Sequence, residues 1–292
     1  MSKPILASLL IVLMAIVASA QPARQTKPAP KPVPTEDKTD QAASLFDAGQ
    51  RAHEAGDLAK AVELYGKALQ LDAELWQAEF QRGAALFALG KLPEAKASLA
   101  RVNSLLAEYP VTDQLKQIFA RVQTSLGEIA LAESKFDDAE KAFRKALELN
   151  PQAVRAHAGL AEALYSTNQF SDAIAAAKAA IATGDDRPAI FTLLGVTLSV
   201  TNKFDEALPA LNEALKRDPK NALALLYRAE VFIAQNKPVE AAADLRASLA
   251  IQSNTRTKLR LASLLAQSKQ FEAASALFQA VVNEAPANAD AR

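Results

Sequence analysis

Leu58-Ala59-Lys60-Ala61-Val62-Glu63-Leu64-Tyr65-Gly66-Lys67-Ala68-Leu69 decides the reading of this chain, because its apolar residues recur at helical spacing and the whole stretch returns along the sequence. The alanine at position 61 has counterparts at Ala95, Ala139, Ala173, Ala207, Ala241 and Ala274. The steps between them are 34, 44, 34, 34, 34 and 33 residues. A period near 34 with two breaks per unit is what a stacked helix hairpin requires, since one hairpin cannot bury its apolar face alone.

The breaks fall where that architecture needs them. Within each unit lie short polar turns such as Ala55-Gly56-Asp57, Leu89-Gly90-Lys91, Thr167-Asn168-Gln169 and Thr201-Asn202-Lys203, where Gly or Asn takes positive φ at a helix end. Between units, Asn150-Pro151, Asp218-Pro219 and Ala285-Pro286 stop the second helix, because a residue before proline is pushed out of the α region. Composition agrees: hydrophobic residues are 50% but aromatics only 6%, so the apolar content is mainly the helix formers Ala and Leu, with Val.

These residues resemble the tetratricopeptide repeat family, whose signature places large apolar and small residues on the first helix and Ala-x-x-x-aromatic, then Ala and Pro, on the second. The fifth unit matches through Phe191, Leu194, Gly195, Leu198, Ala207, Leu211, Ala214 and Pro219, and the third through Leu126, Gly127, Ala130, Ala139, Phe143, Ala146 and Pro151. The resemblance implies an all-α fold, a right-handed superhelical solenoid of about seven helix-turn-helix repeats and fourteen helices. Units are expected at 42–75, 76–109, 120–153, 154–187, 188–221, 222–254 and 255–288. Small residues such as Gly195 and Ala207 let the paired helices approach, while Phe143 or Tyr65 fills the gap toward the next pair. Departures from the signature stand at Glu79, Arg82, Arg228, Ser248 and Lys258, and proline is missing at Ala73, Ala107, Asp185 and Ser253. The ten-residue insertion 110–119 reads as extra turns on the first helix of the third unit, capped by Thr112 or Asp113.

Outside the repeats, Lys3, the apolar run from Ile5 to Val17 and the small-x-small triplet Ala18-Ser19-Ala20 predict a secretory signal peptide over 1–20. An N-terminal membrane anchor is the alternative, though the run is short of the roughly 20 residues that span a bilayer. Residues 21–41, with Pro22, Pro28, Pro30, Pro32 and Pro34, read as a disordered proline-rich linker. Export to a bacterial periplasm or the extracellular space is therefore expected, with no stable membrane insertion after cleavage. After the repeats only the tail 289–292 remains, and the apolar content of Phe271 to Val282 exceeds one stripe, pointing to a face left for a partner or a second copy.

No catalytic constellation is visible, so the chain reads as a non-enzyme without cofactor or metal. His53 and His157 lie about three repeats apart, there is no cysteine, and phosphate-loop, dinucleotide and nucleophile-elbow motifs are missing. Lys plus Arg and Asp plus Glu are 33 each and interspersed, which argues against nucleic acid as a partner. The resemblance instead implies a groove lined by the first helix of each pair. Its candidate positions here are Phe46, Gln50, Phe80, Phe87, Thr124, Glu128 and Leu131 in the first three units, and Arg155, Glu162, Tyr165, Thr192, Val196, Leu226, Glu230 and Ile233 in the next three. Where some family members carry a Lys and an Asn that clamp a peptide carboxylate, this chain has Phe46 and Gln50. The acids Glu128, Glu162 and Glu230 lead us to expect a protein or peptide segment bearing apolar residues with some Lys or Arg. The expected role is a scaffold or adaptor, in a cell-envelope assembly or secretion complex. A non-catalytic subunit of an exported enzyme and a glycan-binding module remain as alternatives.

Overall fold

The computed structural model describes residues 36–284, and among these every regular element is an α-helix, fourteen in all. The expected signal peptide, most of the linker, the tail and the Ala285-Pro286 break lie outside the described residues. The chain forms two compact units, one running to Ala153 and one starting at Val154.

The first unit holds α1 (Glu36–Glu54), α2 (Leu58–Leu71), α3 (Trp76–Ala88), α4 (Leu92–Leu106), α5 (Asp113–Ala132) and α6 (Phe136–Leu149). Each odd-numbered helix packs on the even-numbered helix that follows it, and α2 and α4 pack on α3 and α5. Helix α1 starts at Glu36, six residues ahead of the expected repeat boundary, so 36–41 are helix where linker was expected; no proline follows Pro34 to stop it. The insertion takes the form of a 20-residue α5, started by Thr112, whose hydroxyl accepts from the Leu115 amide at 3.2 Å.

The second unit holds α7 (Val154–Ser166), α8 (Phe170–Ala182), α9 (Pro188–Val200), α10 (Phe204–Arg217), α11 (Ala222–Ala234), α12 (Pro238–Ile251), α13 (Thr255–Gln267) and α14 (Phe271–Glu284). The same alternation recurs, and here α9 also touches α7 and α11 directly. The first helices of successive pairs thus lie side by side.

The turn inside every pair is one device used seven times. Gly56, Gly90, Ser134, Asn168, Asn202, Asn236 and Lys269 all have positive φ at the same place in the period. At Gly90 the left-handed residue donates to the Phe87 carbonyl at 2.9 Å and the next amide, Lys91, to Leu86 at 2.9 Å, satisfying carbonyls that the helix end leaves open. Glycine and asparagine adopt this conformation at little cost, whereas Ser134 and Lys269 hold it against side-chain sterics.

Between helices of a pair, small residues meet large ones sixteen positions later. A Cβ on Gly49 would lie 2.6 Å from the Tyr65 ring, on Gly127 2.7 Å from Phe143, and on Gly195 2.6 Å from Leu211. Tyr65, Phe143 and Leu211 are fully buried as a result. The departures from the signature follow the same logic with polar groups. Arg82 pairs with buried Glu79 at 2.9 Å and donates to Ser98 at 3.2 Å. Arg228 grips Asp244 with two bonds of 2.7 and 2.8 Å and donates to Asn212 at 2.9 Å. The Ser248 hydroxyl donates to the Ala222 carbonyl at 2.8 Å, and Lys258 pairs with Glu284 at 2.7 Å. At two of the four places where proline is missing an aspartate shapes the turn, Asp72 accepting from the Glu74 amide at 2.9 Å and Asp185 from Arg187 at 3.1 Å.

Candidate protein-interaction face

In the first unit the expected groove residues divide by burial. Phe80 is buried, with the Arg121 guanidinium 5.0 Å above its ring, and Thr124 is buried with its hydroxyl on the Ala120 carbonyl at 2.8 Å. Both are taken up by packing in place of the expected contact. Phe46 is half-buried, 5.8 Å from the Tyr65 ring, and Phe87 packs partly against the core containing Leu86, Leu99 and Ile129. Gln50, Glu128 and Leu131 are likewise intermediate in exposure.

In the second unit the same correction applies to Thr192, Val196 and Leu226, all buried. Thr192 donates to the Pro188 carbonyl at 2.8 Å and accepts from Asn221 at 3.0 Å, which ties α9 to the cap of α11. Arg155 is partly exposed and Glu162 exposed. Tyr165 on α7 and Glu230 and Ile233 on α11 are intermediate in exposure.

Glu230 and Ile233 lie beside residues outside the expected groove. A cavity of about 530 Å³ opens where α9, α11 and α13 run side by side. Ser199, Val200, Asn202 and Phe204 form one wall, Tyr227, Glu230, Ile233 and Ala234 the floor, and Arg256 and Arg260 the other wall. Arg260 donates to both oxygens of Glu230 along one guanidinium edge, the Nε bond being 2.7 Å. This pairing pushes the Arg260 pKa above its ordinary value against the opposing effect of burial. Arg256 lies 5.2 Å from the centre of the Tyr227 ring and donates to its hydroxyl at 3.2 Å. Burial, then the charge and hydrogen bond of Tyr227, push the Tyr165 hydroxyl up, while Arg256 pulls it down.

This arrangement changes the electrostatic expectation. Glu230, expected to offer an acid to a basic segment, is already matched in charge by Arg260 from the next repeat. Among the described residues no carboxylate pairs with Arg256, so the uncompensated charge on this face is positive. The available signal was the four-residue spacing of Arg256 and Arg260, which puts both on one face of α13. The expected groove ends at the sixth unit, whereas these arginines belong to the seventh. Among the described residues no cluster of three or more His, Asp or Glu could hold a metal ion, and no helix is long and apolar enough to cross a membrane.

Comparison with known proteins agrees with the helix pairs. Residues 130–196 and 192–254 each match family models described as tetratricopeptide repeat. Among solved structures, Pseudomonas aeruginosa pilF is similar with a TM-score of 0.61 and 17% identity, covering 74% of this chain and 94% of that one. YrrB, described as a TPR protein with an unusual peptide-binding site, gives 0.55 and 18% identity, covering 71% and 99%. The Cut9 and Hcn1 hetero-tetramer of the APC/C gives 0.63 and 16%, covering 79% and 44%. At these identities the likeness is one of fold. Human DnaJ homolog subfamily C member 3 is 29% identical over 106 residues, which are 36% of this chain and 19% of that protein, so the match spans about a fifth of its length. Residues 130–254 thus match tetratricopeptide repeat models, and the helix-pair fold is the one these solved structures share.

Proposed function

We propose that this chain is an exported, non-catalytic scaffold that holds a partner protein along the first-helix face of its repeats, in a cell-envelope assembly or secretion complex. The observation that carries the binding reading is the cavity of about 530 Å³ across α9, α11 and α13, a size in the range of peptide and ligand sites. Aromatic, aliphatic and charged side chains converge there on adjacent rigid helices, which lowers the entropy lost on binding. Export is supported by Lys3, the apolar run Ile5 to Val17 and Ala18-Ser19-Ala20 in the sequence.

The test is affinity capture of the tagged full chain from the host envelope beside a Tyr165→Ala/Ile233→Ala variant with matched thermal unfolding. A defined partner lost with the variant supports the face. Equal recovery of that partner by both proteins would place binding elsewhere. A mature N-terminus at Gln21 in the exported protein supports the export step, and an intact Met1 refutes it.

A further inference from the structure

We infer that the face formed by α11 and α13 binds an acidic side chain of an extended peptide segment, with the carboxylate on Arg256 and a neighbouring apolar side chain in the cavity against Ile233 and Phe204. The inference rests on the scaffold reading above and names what the scaffold grips.

Three features of the cavity converge on this ligand. Arg256 is exposed, and its one hydrogen bond among the described residues goes to a neutral phenol, which leaves guanidinium donors free for a planar carboxylate. The neighbouring cation, Arg260, is neutralised by Glu230, so the site presents one net positive charge and selects one acid. Across from Arg256 the wall is apolar, supplied by Phe204 and Val200, and Val200 is 41% exposed, an apolar surface available for cover.

Asn202, on the rim, explains why the segment passes through and does not end there. It is exposed, and its side-chain amide, unbonded within the described residues, offers both a donor and an acceptor. A peptide unit within a continuing chain presents the complementary pair. The chain's own segment 21–35 is a poor occupant, because it carries Arg24, Lys27 and Lys31 and no acid. The proposed occupant is a segment of another protein, matched to the site by its carboxylate.

The experiment is fluorescence anisotropy of the full chain with three labelled seven-residue peptides. One is capped at both ends with a single glutamate flanked by leucines, one is its glutamine analogue, and one is the glutamine analogue with a free C-terminal carboxylate. The glutamate peptide is expected to bind at least about tenfold tighter than its analogue, as a charge-assisted bidentate contact allows. Arg256→Gln should erase that difference, while Glu230→Gln, by releasing Arg260, should widen it. The second variant keeps the test decisive if the first proves unstable. Equal binding of both capped peptides, binding of the free-acid peptide alone, or binding of none would each overturn the inference. If captured partners still depend on Tyr165 and Ile233 in any of those cases, the scaffold reading stands without it.

Discussion

At the crossing of α5 and α6, Gly127 lets the ring of Phe143 lie against the opposing backbone, and the contact is wholly apolar. At the equivalent crossing of α11 and α12, the residue one place earlier is Arg228, and it reaches Asp244 with two hydrogen bonds. The corresponding pair in the third repeat is Leu126 and Ala142. One helix pair is closed by shape and the other partly by charge, with the same turn device and the same period. The fold therefore demands a filled gap and paired polar groups, not a fixed set of side chains. Polar residues at both ends of a sixteen-residue spacing act as one substitution.

The contrast can be broken from either side. Phe143→Ala should have the largest effect, about 3–5 kcal/mol, because it removes a fully buried ring and leaves a cavity. Denaturant titration with hydrogen exchange should show the loss concentrated in α5, α6 and their neighbours, as expected for a repeat array. Loss spread evenly over all fourteen helices would contradict the modular picture.

Asp244→Ala should cost less, about 2–3 kcal/mol, since it strands Arg228 while leaving that side chain its Asn212 contact and 24% of its surface in water. Combining it with Arg228→Leu should recover most of the loss. Failure of the double variant to recover would mean that the ion pair supplies more than neutrality. Gly127→Ala should cost about 1–2 kcal/mol by overpacking, because the added methyl would lie 2.7 Å from the Phe143 ring. An unchanged melting midpoint would show that the ring shifts freely.

The first repeat offers the finest comparison. Its crossing is that of the third with a hydroxyl added, since Tyr65 replaces the phenylalanine and its hydroxyl finds no protein partner among the described residues. Tyr65→Phe is expected to change stability by less than about 0.5 kcal/mol or to raise it. His53, 6.4 Å away, is buried, and burial lowers its pKa below 6.5 although Glu54 opposes the shift. The unfolded chain then binds more protons than the folded one as pH falls. The histidine's contribution to stability is whole above pH 6.5 and is lost progressively below it. Protection of the α1 amides, corrected for the intrinsic base-catalysed exchange rate, should fall between pH 7.5 and 5.5, and His53→Leu should remove much of that dependence.

The helix pairs, their turns and the long α5 were legible because each rests on local chemistry. Helical apolar spacing, a residue suited to positive φ and a capping hydroxyl can all be read within a few positions. The candidate face was legible only in part. Tyr165, Glu230 and Ile233 keep part of their surface in water, whereas Phe80, Thr192, Val196 and Leu226 are buried. A residue's place on the first helix sets which way it points, but whether it meets water depends on how closely the next first helix packs.

What the sequence determined by itself is the period, the all-helical architecture and the small-against-large pairing inside each unit, because these depend on residues at short, regular separations. What only the tertiary structure decided is which charges remain uncompensated. Glu230 and Arg260 lie thirty residues apart and cancel, and Arg256 is left facing a phenol. Electrostatic character depends on distances across the packed helices, and no spacing rule along the chain supplies those.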